Sequence, residues 1–138
     1  MYRLLIPVDG SVERAENQAR FAASFPCGDE SIAAVVAHAP TDDGREEPRA
    51  VERVESVEAA VEILDAAGIE CEIAEIAVPP EEGIFELASE TSFDAIVMGG
   101  RKRSPAEKAI LGSVTQKVIL NTDTPVVVTG GGRGDEID

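Results

Sequence analysis

A chain of 138 residues, 43% of them hydrophobic, has the length and apolar content of one globular domain. At that length about 68% of the unfolded surface can be buried, so neither a disulfide nor a metal is needed for folding. The 27 acidic and 12 basic residues leave a net charge of −15, which opposes nucleic-acid phosphates and anionic membrane surfaces and excludes both as expected partners.

Tyr2-Arg3-Leu4-Leu5-Ile6-Pro7-Val8 is a short apolar run broken at once by Asp9-Gly10-Ser11, and it reads as a strand and a turn rather than a secretion leader. Ser11 can cap a helix from Val12 to about Ser24, with Ala15, Ala19, Ala22 and Ala23 forming a small-residue face. Pro26 to Asp29 reads as a loop. Ile32 to Ala37 is a continuous apolar run, as expected of a strand covered on both faces. The polar segment from Ala39 to Pro48 is marked by Pro and Gly and reads as a mobile loop.

Val51, Val54, Val57, Val61 and Leu64 then recur at helical spacing, with glutamates between them, and Gly68 closes the helix. Cys71, Ile73, Ile76 and Val78 mark a third strand, whose alternation with Glu70, Glu72 and Glu75 predicts an edge position. Pro79-Pro80 ends it. Glu81 to Glu90 reads as a helix with Ile84, Leu87 and Ala88 inward, and Asp94 to Met98 as a fourth strand. A helix from about Ser113 to Asn121 and a strand from Pro125 to Thr129 complete the series. No internal repeat is present, and residues 1–130 read as one domain followed by a flexible acidic, glycine-containing tail over 131–138.

Strands alternating with helices from end to end predict an α/β fold: a single doubly wound parallel sheet with helices on both faces and right-handed crossovers. Such sheets bind ligands at the carboxyl ends of their strands, where the winding reverses. Between Met98 and Ser113, a glycine pair follows the fourth strand, Arg101, Lys102 and Arg103 follow the glycines, and Gly112-Ser113 opens the next helix. A bare glycine, backbone N–H groups and the positive end of a helix dipole together suit a phosphate. The same residues also make an ordinary solvated turn. Asp9 can accept from a ligand amine or hydroxyl, help hold Mg²⁺, or cap the first helix in competition with Ser11. His38, the sole histidine, ends the second strand and has no identifiable acid or nucleophile as partner, so a structural role outweighs a general base.

Several chemistries lack their signatures. GxxxxGK[ST], GxGxxG and GxSxG are missing, and no His/Cys cluster has zinc-ligand spacing. Cys27 and Cys71 are distant in sequence and read as buried free thiols in a reducing compartment. Together with the missing leader and the absence of any run of ~18 apolar residues, they make cytoplasm the expected location. Many carboxylates, three Lys and an aliphatic core without Trp suggest adaptation to a salt-rich cytosol.

Taken together, Pro7-Val8-Asp9-Gly10-Ser11, His38, Phe93 to Gly99, Arg103-Ser104, Leu111 to Thr115 and Thr124 to Val128 resemble the universal stress protein family over nearly the whole chain. The resemblance implies the adenine-nucleotide alpha-hydrolase-like sheet, with strand order 3-2-1-4-5. The ATP-binding branch of that family carries a loop of form G-x2-G-x9-G-[ST]. Gly99, Gly112 and Ser113 fit it at the same spacing, whereas Lys102 stands where the second glycine belongs. That lysine either obstructs the site or neutralises phosphate charge directly.

By resemblance, Asp9 would contact the nucleoside, the backbone near Ala39 would read adenine, and Gly99 would lie against ribose or phosphates. Gly112, Ser113 and Val114 would donate to phosphate, with Pro7, Val8, Met98, Arg101 and Lys102 around the same site. The implied ligand is ATP or a related adenine nucleotide, with Mg²⁺ as a possible companion. The implied assembly is a homodimer through the last strand, Pro125–Thr129, acting in stress response or signalling toward an unidentified protein partner. The alternative is a member that binds no nucleotide and works by protein–protein contact. A slow ATPase is the third reading, resting on Asp9, a metal and water.

Overall fold

The computed structural model describes residues 1–25, 31–40, 50–100 and 112–130. Among these, the elements run β1 (Tyr2–Pro7), α1 (Val12–Ala23), β2 (Ile32–His38), α2 (Glu55–Ala66), β3 (Glu70–Glu75), α3 (Pro80–Glu90), β4 (Ala95–Gly99), α4 (Ser113–Asn121) and β5 (Val126–Thr129). All four strand pairings are parallel and the order is β3-β2-β1-β4-β5, as the sequence predicts. No helix among the described residues is long and apolar enough to cross a membrane.

Strand side chains alternate between two cores. Leu4 and Ile6 of β1, with Ala95 and Val97 of β4, pack against Ala15, Ala19 and Ala22 of α1 and Val57, Ala60 and Leu64 of α2. Leu5, Ile96 and Met98 face the other way, onto Ile84 of α3 and Val118 of α4. Small residues on α1 let that helix lie close to the sheet, which an aliphatic core without Trp requires. The β1–β2 ladder runs six residues, from Tyr2↔Ile32 to Pro7↔Ala37, but β1–β4 has only Leu4↔Ala95 and Leu5↔Ile96. Beyond those two pairs β1 and β4 diverge, and the fork between them is where the winding reverses.

Local chemistry accounts for the element ends. The Ser11 hydroxyl accepts from the Arg14 amide at 3.2 Å and caps α1. Gly68 follows α2 with φ +78°, a left-handed conformation that suits glycine. Gly83 is fixed by packing: a Cβ there would stand 2.5 Å from the Ala77 carbonyl oxygen. Gly100 is equally constrained, with the Thr129 carbonyl oxygen 2.4 Å from the place of its missing Cβ.

Three expectations change. The helix expected from Val51 is divided into a 3₁₀ turn, Val51–Arg53, and α2, with Val54 extended between them at φ −71° and ψ 131°. The break lets Val51 reach the first core while Ser56 is fully buried. The third strand stops at Glu75, because β2 ends opposite it at His38. Ile76 then turns into the second core, and Val78 is 59% exposed. Cys71 is half-buried rather than buried, since β3 is an edge strand. Burial, with Asp65 and Glu72 nearby, pushes its thiol up to about 11. Cys27, the loop over 41–49 and the tail over 131–138 lie outside the described residues.

Candidate functional site

A cavity of about 160 Å³ opens at the carboxyl ends of the strands, over the fork between β1 and β4. Nine of the eleven residues expected at the site line it: Pro7, Val8, Asp9, Ala39, Met98, Gly99, Gly112, Ser113 and Val114. The other two, Arg101 and Lys102, lie outside the described residues, as does the spacing of the basic loop.

The cavity has two chemically different ends. One is a slot of aliphatic surface from Ala37, Ala39, Ile76, Pro80, Ile84 and Met98. The other end is the start of α4. Gly112 is the N-cap, with φ −70° and ψ 164°, and no side chain caps the helix. Ser113, Val114 and Thr115 of the first turn, whose amides have no partner within the helix, line the cavity at the positive end of the helix dipole.

Asp9 stands between these ends and is held at three points. Its Oδ1 accepts from the Ser11 amide at 2.9 Å, its Oδ2 accepts from Arg14 Nε at 3.0 Å, and its backbone carbonyl accepts from the buried Ser56 hydroxyl at 2.5 Å. A second Arg14 nitrogen lies 3.0 Å from the same Oδ2, and 57% of the Asp9 side chain remains exposed. Two alternatives left open by the sequence thus coexist. Ser11 caps α1, and Asp9 braces the turn while keeping lone pairs toward solvent. The cation on Asp9 Oδ2 is Arg14, and no group of three or more potential metal ligands occurs among the described residues.

His38 is 6% exposed and lines the slot, with Nδ1 2.9 Å from the Val8 carbonyl oxygen. A carbonyl only accepts, so Nδ1 carries the proton in this contact. The ring ties the end of β2 to β1, a structural role. Across the fork, Gln18 Nε2 donates to the carbonyls of Pro7 at 2.6 Å and Val97 at 2.9 Å, bridging β1 and β4 where their ladder stops. Gly99 acquires a different explanation here. A Cβ on it would meet Gln18 Oε1 at 3.0 Å and Arg14 Cβ at 3.4 Å, so the close approach it permits is that of α1.

Sequence reasoning missed Arg14, Gln18, Ile76, Pro80, Ile84 and Thr115, all of which line the cavity. Arg14 carried one signal, a cation in the first turn of a helix, where the dipole disfavours it. Gln18 carried another, an amide on the same helix face as Ala15, Ala19 and Ala22. The α3 residues carried none, because their apolar pattern reads as core. On the rim, Glu81 pairs with Lys117 at 3.3 Å and joins α3 to α4. A hydrogen bond from its own backbone, then Lys117, holds the Glu81 carboxyl below its usual range.

An open parallel sheet with a hollow at its winding reversal defines a doubly wound α/β protein of the kind that takes ligands at that point. The chain belongs to the universal stress protein family, whose model matches residues 1–130. A universal stress protein from Archaeoglobus fulgidus shares 32% identity and superposes with a TM-score of 0.73, covering 94% of this chain and 98% of that one. A universal stress protein from the same organism in complex with dAMP shares 28% identity with a TM-score of 0.66, again covering 94% and 98%. The stress response protein NhaX of Bacillus subtilis is 41% identical over 49 residues, a segment that is 36% of this chain and 30% of that protein.

Proposed function

We propose that this chain binds an adenine nucleotide, ATP or a relative of it, in the cavity at the fork and acts in stress response or signalling as a homodimer. The observation that carries this reading is the convergence of an aliphatic slot and the uncapped amides of α4 on one hollow. A flat ring suits the slot and a phosphate suits the amides. A nucleotide is the common ligand that has both. The dAMP held by the Archaeoglobus fulgidus relative supports the same class of ligand.

In this reading the purine lies against Ile76, Ile84 and Ala39, the ligand passes Asp9 and Gly99, and its phosphates meet Gly112, Ser113 and Val114. Pro7, Val8 and Met98 form the floor, and Arg101 and Lys102, which follow Gly99 closely in sequence, supply positive charge for the phosphates. With Arg14 already on Asp9, a Mg²⁺ ion would be carried by the phosphates rather than by a protein cage.

Titration calorimetry with ATP in molar salt tests the proposal. Saturable binding to the wild-type protein is expected. Gly112→Asp should weaken it by at least about tenfold, because an aspartate at the N-cap bonds the same amides and repels phosphate. Absence of wild-type binding would sink the proposal, and a gain of binding in Lys102→Gly would then favour a scaffold that works by protein contact alone.

A further inference from the structure

Among the described residues, Gln18 has more hydrogen-bonding capacity than its neighbours use. It is 1% exposed and lines the cavity. Both partners of Nε2, the carbonyls of Pro7 and Val97, can only accept, so the orientation of the amide follows from them. Both amide protons are engaged, and Oε1 is turned away from the two carbonyls. No donor to Oε1 is found among the described residues. It packs beside Gly99, 3.0 Å from where a Cβ would stand on that glycine. A buried amide oxygen without a donor is unfavourable, and a bound molecule can supply one.

Its place in the fold says which donor. Along the carboxyl edge of the sheet the order is the end of β2 with the slot, then the fork with Gln18, then the end of β4 and the start of α4. A ligand with its ring in the slot and its anion on α4 lays its middle across the fork. In a nucleotide that middle is the sugar, whose donors are its hydroxyls. Resting on the nucleotide reading above, we infer that Gln18 Oε1 accepts a hydrogen bond from a sugar hydroxyl of the bound nucleotide and is a specificity-determining residue of the site. The same amide ties β1 to β4, so it sets the width of the fork and reads what lies in it.

The test compares ATP, 2′-deoxyATP and 3′-deoxyATP on the wild-type protein and on Gln18→Met, with folding checked by circular dichroism. The wild-type protein should bind ATP about three- to tenfold more tightly than one of the two deoxy analogues. In Gln18→Met that preference should fall below about twofold, even where every nucleotide binds more weakly. Equal wild-type affinities for all three nucleotides, needing no variant, overturn the inference, as does a preference that survives in Gln18→Met. If ATP itself does not bind, the nucleotide reading fails and this inference with it. If ATP binds without discrimination, this inference alone fails.

Discussion

Asp9 and Ser56 are 47 positions apart in sequence, yet a hydrogen bond joins the carbonyl of one to the hydroxyl of the other. Ser56 is fully buried in the first turn of α2, and its bond pins the turn that carries the Asp9 carboxylate. Ser56→Ala leaves that carbonyl without its protein partner and should lower stability by about 1 kcal/mol. Urea unfolding monitored by circular dichroism measures it, and an unchanged midpoint would mean that water replaces the hydroxyl without loss. At this scale the sequence was readable where a residue acts through its own backbone freedom or position, as with Gly112 and Ser113 at the start of α4. It was unreadable where the role depends on a partner far along the chain. Nothing local to Asp9 announces Ser56, and nothing local to Gly99 announces that Gln18 fills the space beside it. Arg14 pairs with Asp9 from five positions on, within reach of sequence reasoning, but only once α1 is known to start at Val12.

Among the elements, β5 is, with β3, one of the two edges of the sheet in the single chain. It pairs with β4 on one side and lies at the end of the strand order, and none of its four residues is buried. Val128 is 37% exposed, and on neighbouring α4 Ile119 and Leu120 are 40% and 80% exposed. An open valine-rich edge beside exposed aliphatic side chains invites pairing with another strand. The dimer proposed above would form here, and Val128→Lys should convert it to monomer, because an inserted ammonium blunts such an edge. Sedimentation velocity at micromolar protein reads the outcome, and a wild-type protein that already sediments as a monomer would remove the dimer. Element types were legible because each strand is a short apolar run and each helix carries a three- or four-residue period. The break at Val54 was not, since Val51, Val54 and Val57 continue that period without interruption. Only the competing demands of the first core and of buried Ser56 divide the helix.

For the molecule as a whole, a net charge of −15 on 138 residues is a field that the compact state must tolerate. Screening shortens the reach of that repulsion from ~10 Å at 0.1 M ionic strength to ~3 Å at 1 M. Thermal melts in rising KCl should therefore show a midpoint that climbs by about 5 °C or more between 0.1 and 2 M. A flat or falling midpoint would mean that the carboxylates are ordinary surface and not an adaptation to salt. The winding order was foreseeable from the alternation of elements and the family resemblance. The two-faced cavity was not, since its aliphatic end is assembled from the stretch after β3 and from α3, which reads as plain core. One feature of the sheet links the two halves of the functional proposal. Gly100 leaves no slack against the Thr129 backbone, and the Thr129 hydroxyl donates to Met98 O at 3.2 Å. The last strand and the cavity floor are thus joined directly: whatever grips the outer rim of the sheet sits one strand away from Met98 and Gly99.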